Sequence, residues 1–403
     1  MKRLLSLLLA VLLLLPTVTL GEELFGRTYV NLPDLMTMGD GSPVDTPERM
    51  AARRAELLAL FADSMYGPIP SEGFEKHFEV LEEGETLDGT AIRRQVKITV
   101  TTPMGSCDAL MLMILPKSDA PVPVVFGLGG EVHTVLADPA ILPSYSMNKY
   151  PNIKEEPRGQ GAAGWCVEEA VKRGYGIAVA CYNDFVPDTV RSYKKRLFSI
   201  FEKDTVSGMS AWALELSCMA DWLVQDPQVD AGRLAVVGTS RLGKAALWYG
   251  ANDERVALVI PNVSGTCGAA LTRSCEKEQL ADLNANFRWW MSETCKTYND
   301  RVEELPVDQH ELIACVAPRK VYVSSAETDT SNDSQGTWIA LMLSRDAFRL
   351  YGLKVIEDAG VEQPAPGERI FTESMAYHMR TGNHGITPED WGNYFDYMDE
   401  YLK

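Results

Sequence analysis

Short apolar runs alternate with helical stretches through the last two-thirds of the chain. The runs are residues 122–126, 176–180, 234–237, 256–260 and 321–324. Residues 212–224 lie between two of them, read as a helix, and end before Asp226-Pro227. Apolar strands that alternate with helices are typical of a parallel sheet that is buried on both faces.

The residues before this region follow a different pattern. Thr46-Pro47-Glu48 combines a capping hydroxyl, a proline and an acid, so a helix is predicted to begin there and to run over residues 49–66. Residues 74–116 alternate polar and apolar positions, which indicates antiparallel strands. We therefore predict an α/β fold, with a mostly parallel, doubly wound central sheet and an antiparallel N-terminal lead-in. Ligands bind such sheets at the carboxyl ends of the strands.

The first 21 residues have the pattern of a secretory signal. Lys2 and Arg3 precede an apolar run over residues 4–15, and small residues follow it at Thr19 and Gly21. The alternative is a retained helical anchor, although the run is short for a membrane span. We expect a signal peptide at 1–21 and one catalytic domain at 22–403, secreted or periplasmic and not bound to a membrane.

The charge of the chain limits its partners. The formal net charge is −18, and removal of two positive charges with residues 1–21 makes it −20. Nucleic-acid binding is therefore not expected, because it depends on Lys and Arg that neutralise phosphates. A mostly neutral carbohydrate ligand remains compatible with this charge.

The cysteines do not indicate a metal site. Their spacing matches no zinc pattern, and we expect no metal and no cofactor. Cys181 and Cys218 have apolar neighbours and are interpreted as buried small side chains, whereas a disulfide is expected within the cluster Cys267, Cys275, Cys295 and Cys315.

Residues 234–249 combine an apolar strand, a tight turn with glycines and a helix. Ser240 lies in that turn, which is the setting of the nucleophile elbow of the α/β-hydrolase fold. The usual Gly-x-Ser-x-Gly pattern is altered, because Leu242 holds the second glycine position and Gly243 follows it. A serine that merely caps the helix is the alternative.

Longer motifs around this turn resemble the glucuronoyl esterases, carbohydrate esterase family 15, and its bacterial members more than its fungal ones. The matching segments are 51–54, 65–67, 174–176, 238–244, 253–255, 264–265, 305–310, 317–319 and 377–380. The resemblance implies an α/β-hydrolase that cleaves the ester between 4-O-methyl-glucuronic acid on xylan and a lignin alcohol through an acyl-enzyme. The expected partner is thus a glucuronoxylan or lignin-carbohydrate ester, and we expect a monomer.

The resemblance also assigns two cations that follow the serine. Arg241 matches the family arginine that stabilises the oxyanion, and Lys244 matches the lysine that binds the sugar. Their alternatives are an ion pair with a surface acid and a solvated position on the helix.

His384 is the expected base. In α/β-hydrolases the histidine follows the nucleophile and the acid in the chain, which leaves His310, His378 and His384. His384 lies in a loop before a predicted helix start, where it can reach the serine, and it also matches the family base. His378 and His310 are interpreted as structural or supporting. The loop 127–133, which ends at His133, is expected to line the oxyanion hole or the pocket.

The sequence offers two candidates for the acid of the triad. Fungal members have a Glu at the position of Val263, so the acid must come from the end of the next strand. Asp329 matches the acid of bacterial relatives, and Glu327 is the alternative.

The sugar contacts are predicted from the family. Glu278 aligns with a glutamate that binds ring hydroxyls, and Trp289 and Trp290 lie where the family has a pocket aromatic. Relatives carry a Trp where this chain has Ser331, which bears on substrate preference. Two other functions therefore stay open: an esterase for another carbohydrate ester such as acetyl xylan, and a carbohydrate-binding relative without activity.

Overall fold

The computed structural model describes residues 22–24, 26–150, 153–275, 277–357 and 362–403. The predicted signal peptide, residues 1–21, lies outside the described residues. Within the described ranges, no helix has both the length and the apolar character needed to cross a membrane.

Within these residues the chain forms twelve strands. They are β1 Glu22–Leu24, β2 Arg27–Tyr29, β3 Glu75–Thr86, β4 Ala91–Thr102, β5 Gly105–Pro116, β6 Val122–Gly129, β7 Gly176–Cys181, β8 Val229–Thr239, β9 Val256–Asn262, β10 Lys320–Ala326, β11 Glu368–Phe371 and β12 Met375–Arg380.

Ten of these strands form one sheet in the order β11-β12-β10-β9-β8-β6-β7-β5-β4-β3. Neighbouring strands in the part β12-β10-β9-β8-β6-β7 pair in parallel. In the remaining part, β5 pairs antiparallel with β7 and with β4, and β4 pairs antiparallel with β3. The predicted parallel sheet with an antiparallel lead-in is confirmed, and β11 adds an antiparallel strand at the other edge.

Eleven α-helices connect the strands in the described part of the chain. They are α1 Pro47–Phe61, α2 Val167–Lys172, α3 Tyr182–Phe185, α4 Gly208–Leu223, α5 Arg241–Asn252, α6 Leu280–Asn286, α7 Glu293–Lys296, α8 Gln309–Ala314, α9 Ser334–Leu343, α10 Arg345–Leu350 and α11 Pro388–Tyr401. The predicted start of α1 is confirmed, since Thr46 Oγ accepts from the backbone N–H of Arg49.

The sheet separates two apolar clusters. Along β8, Leu234 and Val236 belong to the larger cluster, whereas Ala235 and Val237 belong to the smaller one. Successive side chains of a strand point to opposite faces, so one apolar strand supplies both layers. Helices α4, α5, α8 and α9 contribute to the larger cluster, and α2 and α11 to the smaller one.

The expected disulfide is wrong in this structure, because all eight cysteines are free. Cys267, Cys295 and Cys315 are fully buried in the larger apolar cluster, where they pack as small apolar side chains. The same holds for Cys218, and Cys181 packs in the smaller cluster, as predicted for both.

Candidate active site

The turn between β8 and α5 holds Ser240 in a conformation that few residues adopt. Its φ is 60° and its ψ is −126°, and a non-glycine residue in such a region costs on the order of 1–3 kcal/mol. A Cβ on Gly238 would lie 2.0 Å from the carbonyl oxygen of Leu242, and one on Gly243 would lie 2.9 Å from that of Gly238. The close approach of strand and helix therefore requires glycine at 238 and 243, which accounts for the altered motif.

Asn262, at the end of β9, links this turn to the loop that carries His384. The backbone N–H of Ser240 donates to the Asn262 carbonyl at 2.9 Å. The Asn262 side chain is fully buried, donates to the carbonyl of Gly385 at 3.0 Å and accepts from the Tyr394 hydroxyl at 2.9 Å. One residue thus fixes the serine turn, through its backbone, relative to the residue that follows His384, which its side chain holds.

His384 contacts Asp329 at the carboxyl end of the sheet. Its Nδ1 lies 2.6 Å from Asp329 Oδ2, and the Asp329 side chain is 2% exposed. Burial alone would raise the pKa of the Asp329 carboxyl, but hydrogen bonds from His384 and from the Ser331 hydroxyl outweigh it, and the pKa lies below its usual value. Glu327, the alternative acid, is exposed and its backbone N–H bonds the carbonyl of Arg380.

A cavity of about 170 Å³ opens at this point. Its lining residues are Ser240, Arg241, Lys244, Val263, Ser264, Gly265, Glu278, Phe287, Trp290, Ser331, Asn332 and His384. The structure therefore brings the predicted nucleophile and base, both cations, Glu278 and one of the two tryptophans to one cavity, with Asp329 directly behind the base.

Both cations of the cavity are paired with carboxylates. Lys244 Nζ donates to the Ser264 carbonyl at 2.6 Å and to Glu278 Oε2 at 3.1 Å. Arg241 Nη1 donates to Asp188 Oδ2, and the Asp188 side chain is 2% exposed. The field of the cations inside the cavity is therefore largely compensated.

The two adjacent tryptophans have different environments. Trp290 lines the cavity and stacks on Phe287, with ring centroids 3.8 Å apart and planes 6° apart. Trp289 stacks on Tyr193 at 5.0 Å and is not among the residues that line this cavity, so its sugar contact stays a prediction. Both indole N–H groups donate to Asp188 Oδ1 at 2.8 Å.

None of the residues 127–133 is among those that line this cavity, and a contribution of the loop to the oxyanion hole stays a prediction. His133 is 1% exposed, and its Nε2 lies 2.7 Å from the carbonyl oxygen of Glu156. The His133 ring is thus held by a backbone contact.

The other two candidate histidines are structural. His310 Nε2 lies 3.0 Å from the Pro33 carbonyl, and burial lowers the pKa of His310 to about 4. His378 Nε2 lies 2.9 Å from Asp390 Oδ1, and Arg380 also contacts that carboxylate. Arg380 Nη2 in turn donates to the Gly385 carbonyl at 2.9 Å, so this network holds the His384 loop in place.

Three residues of the site have no motif that marks them in the sequence. Asp188 and Asn262 act through contacts that join segments distant in the chain. Asn332 lines the cavity with 1% exposure, and its Nδ2 has no hydrogen-bond partner among the residues that the structure describes. The one sequence signal for Asn332 is its position shortly after Asp329, because a polar residue at that point follows the end of a strand.

These groups are arranged for acyl transfer. A serine at an elbow before a helix N-terminus has unpaired backbone N–H groups nearby. An imidazole whose Nδ1 is held by a buried carboxylate presents Nε2 as a proton acceptor. The arrangement can activate the serine, receive its proton and stabilise a developing oxyanion.

Comparisons with known proteins agree on one family. Residues 170–352 match the family model described as glucuronyl esterase, fungi. The chain is 35% identical to the carbohydrate esterase MZ0003 of an unknown prokaryotic organism, over 92% of this chain and 89% of that protein. The solved structure of a glucuronoyl esterase from Solibacter usitatus is similar, with a TM-score of 0.84 and 32% identity over 92% of this chain and 98% of that one. A structure described as a promiscuous CE15 esterase from the marine bacterial metagenome matches with a TM-score of 0.84 and 34% identity over 93% and 98%.

Proposed function

The chain belongs to carbohydrate esterase family 15, the glucuronoyl esterases, and on that premise we propose that it hydrolyses 4-O-methyl-glucuronoyl esters that link xylan to lignin alcohols. It is a carboxylic ester hydrolase of the α/β-hydrolase fold. The apolar run and small residues of the first 21 positions support export, so that the enzyme meets plant cell-wall polymers in a secreted or periplasmic form.

The proposed nucleophile is Ser240, with His384 as its base and Asp329 as the acid that orients the base. Ser240 Oγ attacks the glucuronoyl carbonyl while its proton passes to His384 Nε2. The same proton then goes to the leaving alcohol, and the acyl-enzyme forms. Water, deprotonated by His384, attacks that acyl group and releases the acid and free Ser240. Asp329 stays ionised and stabilises the imidazolium that forms twice in the cycle.

The remaining residues of the cavity are proposed to bind the transition state and the sugar. Arg241 follows the serine directly, and its guanidinium suits the oxygen that becomes negative. Lys244 and Glu278 offer a donor and an acceptor to ring hydroxyls. The Asn332 Nδ2 group has no partner among the residues that the structure describes and is suited to a further hydroxyl, because a buried donor gains most from a new hydrogen bond.

The single observation that carries this proposal is the His384–Asp329 contact at 2.6 Å beside the cavity that Ser240 lines. The test compares hydrolysis of a benzyl ester of glucuronic acid with hydrolysis of a simple acetate ester. The wild type should prefer the glucuronate ester, and Ser240→Ala should abolish the hydrolysis while the sugar acid still binds. A wild-type rate equal to that of Ser240→Ala would refute the assignment and would favour a carbohydrate-binding protein.

A second candidate substrate is another ester, such as acetylated xylan. Ser331 in the cavity wall favours it, because the polar, small side chain leaves the sugar without the aromatic stacking that relatives have there. The comparison with an esterase described as promiscuous points the same way. A rate on acetyl xylan above the rate on the glucuronate ester would establish this alternative.

A further inference from the structure

Asp188 holds three donors from two segments of the chain. Its Oδ2 accepts from Arg241, and its Oδ1 accepts from the indole N–H groups of Trp289 and Trp290 at 2.8 Å each. The Asn183 side chain accepts from its backbone N–H at 2.9 Å. A carboxylate with this many charged and neutral donors is fixed in position, and it fixes its partners.

Arg241 is held on a second side by aromatic rings. Its guanidinium carbon lies 4.8 Å from the Trp290 ring centroid and 5.5 Å from that of Phe287. These rings line the cavity together with Arg241, whereas Asp188 does not. The Asp188 carboxylate therefore influences a bound substrate through its partners in the cavity wall, Arg241 and Trp290.

The pairing also sets the charge that a ligand meets. The ester substrate is neutral at its carboxyl group, but the product of hydrolysis is a carboxylate. An arginine without a partner would attract that product, since opposite charges attract strongly in a cavity that is partly shielded from water. A buried carboxylate on the far side of Arg241 cancels much of this attraction, while the arginine N–H groups can still donate to an oxyanion.

We propose that Asp188 is a positioning residue that orients Arg241 toward the oxyanion and compensates its charge, so that the site binds the neutral ester in preference to the acid it produces. This inference rests on the proposed role of Arg241. It predicts that Asp188, through its ion pair with Arg241, both raises turnover and limits inhibition by the product.

The test is a double-mutant cycle on Asp188→Asn and Arg241→Ala. Asp188→Asn keeps an acceptor for the indoles but turns an amide toward the guanidinium. We therefore expect kcat to fall about 10- to 100-fold, in line with the cost of a misplaced oxyanion donor. KM should stay within about threefold of the wild type. The double variant should be no slower than Arg241→Ala alone. Inhibition by free D-glucuronate should become about tenfold stronger in Asp188→Asn, as expected when the compensating charge is removed.

Asp226→Asn is the matched control. Asp226 is also a buried acid, 1% exposed and paired with an arginine, Arg94, but it lies before β8, at the opposite end of that strand from Ser240. Both substitutions should lower the melting temperature, and only Asp188→Asn should change kcat and glucuronate inhibition. Trp289→Phe, which removes one donor to Asp188 and leaves the Arg241 pair, supplies a milder variant should Asp188→Asn not fold; it should lower kcat about two- to fivefold, equivalent to the loss of one hydrogen bond.

Losses that multiply in the double variant would overturn the proposal, since Asp188 would then act independently of Arg241. Unchanged glucuronate inhibition in folded Asp188→Asn would equally overturn it. The cycle uses whichever ester the wild type cleaves fastest, so a different substrate would revise the proposed function without deciding the role of Asp188.

Discussion

Two regions of the molecule bury carboxylates and treat them in opposite ways. At the carboxyl end of the parallel strands, Asp329 accepts hydrogen bonds from His384 and Ser331, and its pKa lies below the usual value. On helix α4, Glu215 is fully buried, and both of its oxygens lack a hydrogen-bond partner among the described residues. Burial, together with the nearby Asp184, raises the pKa of Glu215 well above its usual range.

The difference teaches what a donor does for a buried acid. Removal from water disfavours the charged form, and hydrogen bonds or opposite charges are needed to restore it. Asp329 has these donors and stays ionised, so it can stabilise an imidazolium. Glu215 has no such donor, so its neutral form is favoured, and it remains an unsatisfied polar group in the core. The acid of the active site therefore lies where hydrogen-bond donors are available.

The largest expected effect comes from Asp329→Asn. The amide cannot stabilise the imidazolium and favours the wrong tautomer, so kcat should fall on the order of 10³- to 10⁴-fold, as for triad acids. Steady-state hydrolysis of the benzyl glucuronate ester measures the loss. Glu327→Gln is the matched control, because Glu327 is exposed two residues away, and its activity should stay within twofold of the wild type. Near-normal activity of Asp329→Asn together with a large loss in Glu327→Gln would transfer the acid role to Glu327.

Asn262→Ala should have the next largest effect. The substitution removes the side-chain bond to the Gly385 carbonyl and leaves the backbone bond to Ser240 in place. The Gly385 carbonyl of the His384 loop then loses one of its two side-chain donors, the other being Arg380. We expect kcat to fall about 10-fold, since small displacements of catalytic groups are costly. A crystal structure of the variant should show His384 displaced; an unmoved loop with normal kcat would contradict the tether.

How much of this could be predicted from the sequence depends on whether a residue's role is local. The parallel sheet follows from apolar runs such as 234–237, and Ser240 follows from a strand, a turn and a helix that adjoin in the chain. The identification of Val263 in place of the fungal acid also leads directly to the strand that carries Asp329. Each of these inferences uses neighbours in sequence.

The contacts that the sequence does not predict join distant segments. Asp188 lies 53 residues from Arg241 and more than 100 from Trp290, and no periodicity connects them. For the same reason, the sequence does not distinguish the Trp290 ring in the cavity from its neighbour Trp289. Loop 127–133 follows a parallel strand, but the sequence does not show that His133 meets the distant backbone carbonyl of Glu156.

Glu215→Gln tests the other half of the comparison through stability. The folded pKa of Glu215 is raised above the unfolded value of 4.5, so its contribution is fully present below about pH 4.5 and is lost as the pH rises toward the folded pKa. Each pH unit in that window costs the wild type about 1.4 kcal/mol for this group. The glutamine has no such cost, so its stability relative to the wild type should be greater at pH 8 than at pH 4.5. Thermal melts of both proteins at the two pH values measure this, and an equal difference at both would show that Glu215 is not protonated in the fold.

Ser331→Ala should have the smallest effect, because it removes one of several donors to Asp329. The hydroxyl donates to Asp329 Oδ1 at 2.7 Å, while the backbone N–H of Ser331 and His384 keep their bonds. Loss of one hydrogen bond is worth about 1 kcal/mol, so kcat should fall about two- to fivefold. The lost bond also stabilises the ionised carboxylate, so the acid limb of the kcat/KM profile should move to higher pH, the direction in which Asp329 becomes more like Glu215. A shift of the profile to lower pH would contradict this expectation, and so would an unchanged rate and profile. Either result would mean that the remaining donors alone keep the Asp329 carboxylate ionised. The presence of His384 would then matter more than the number of hydrogen-bond partners.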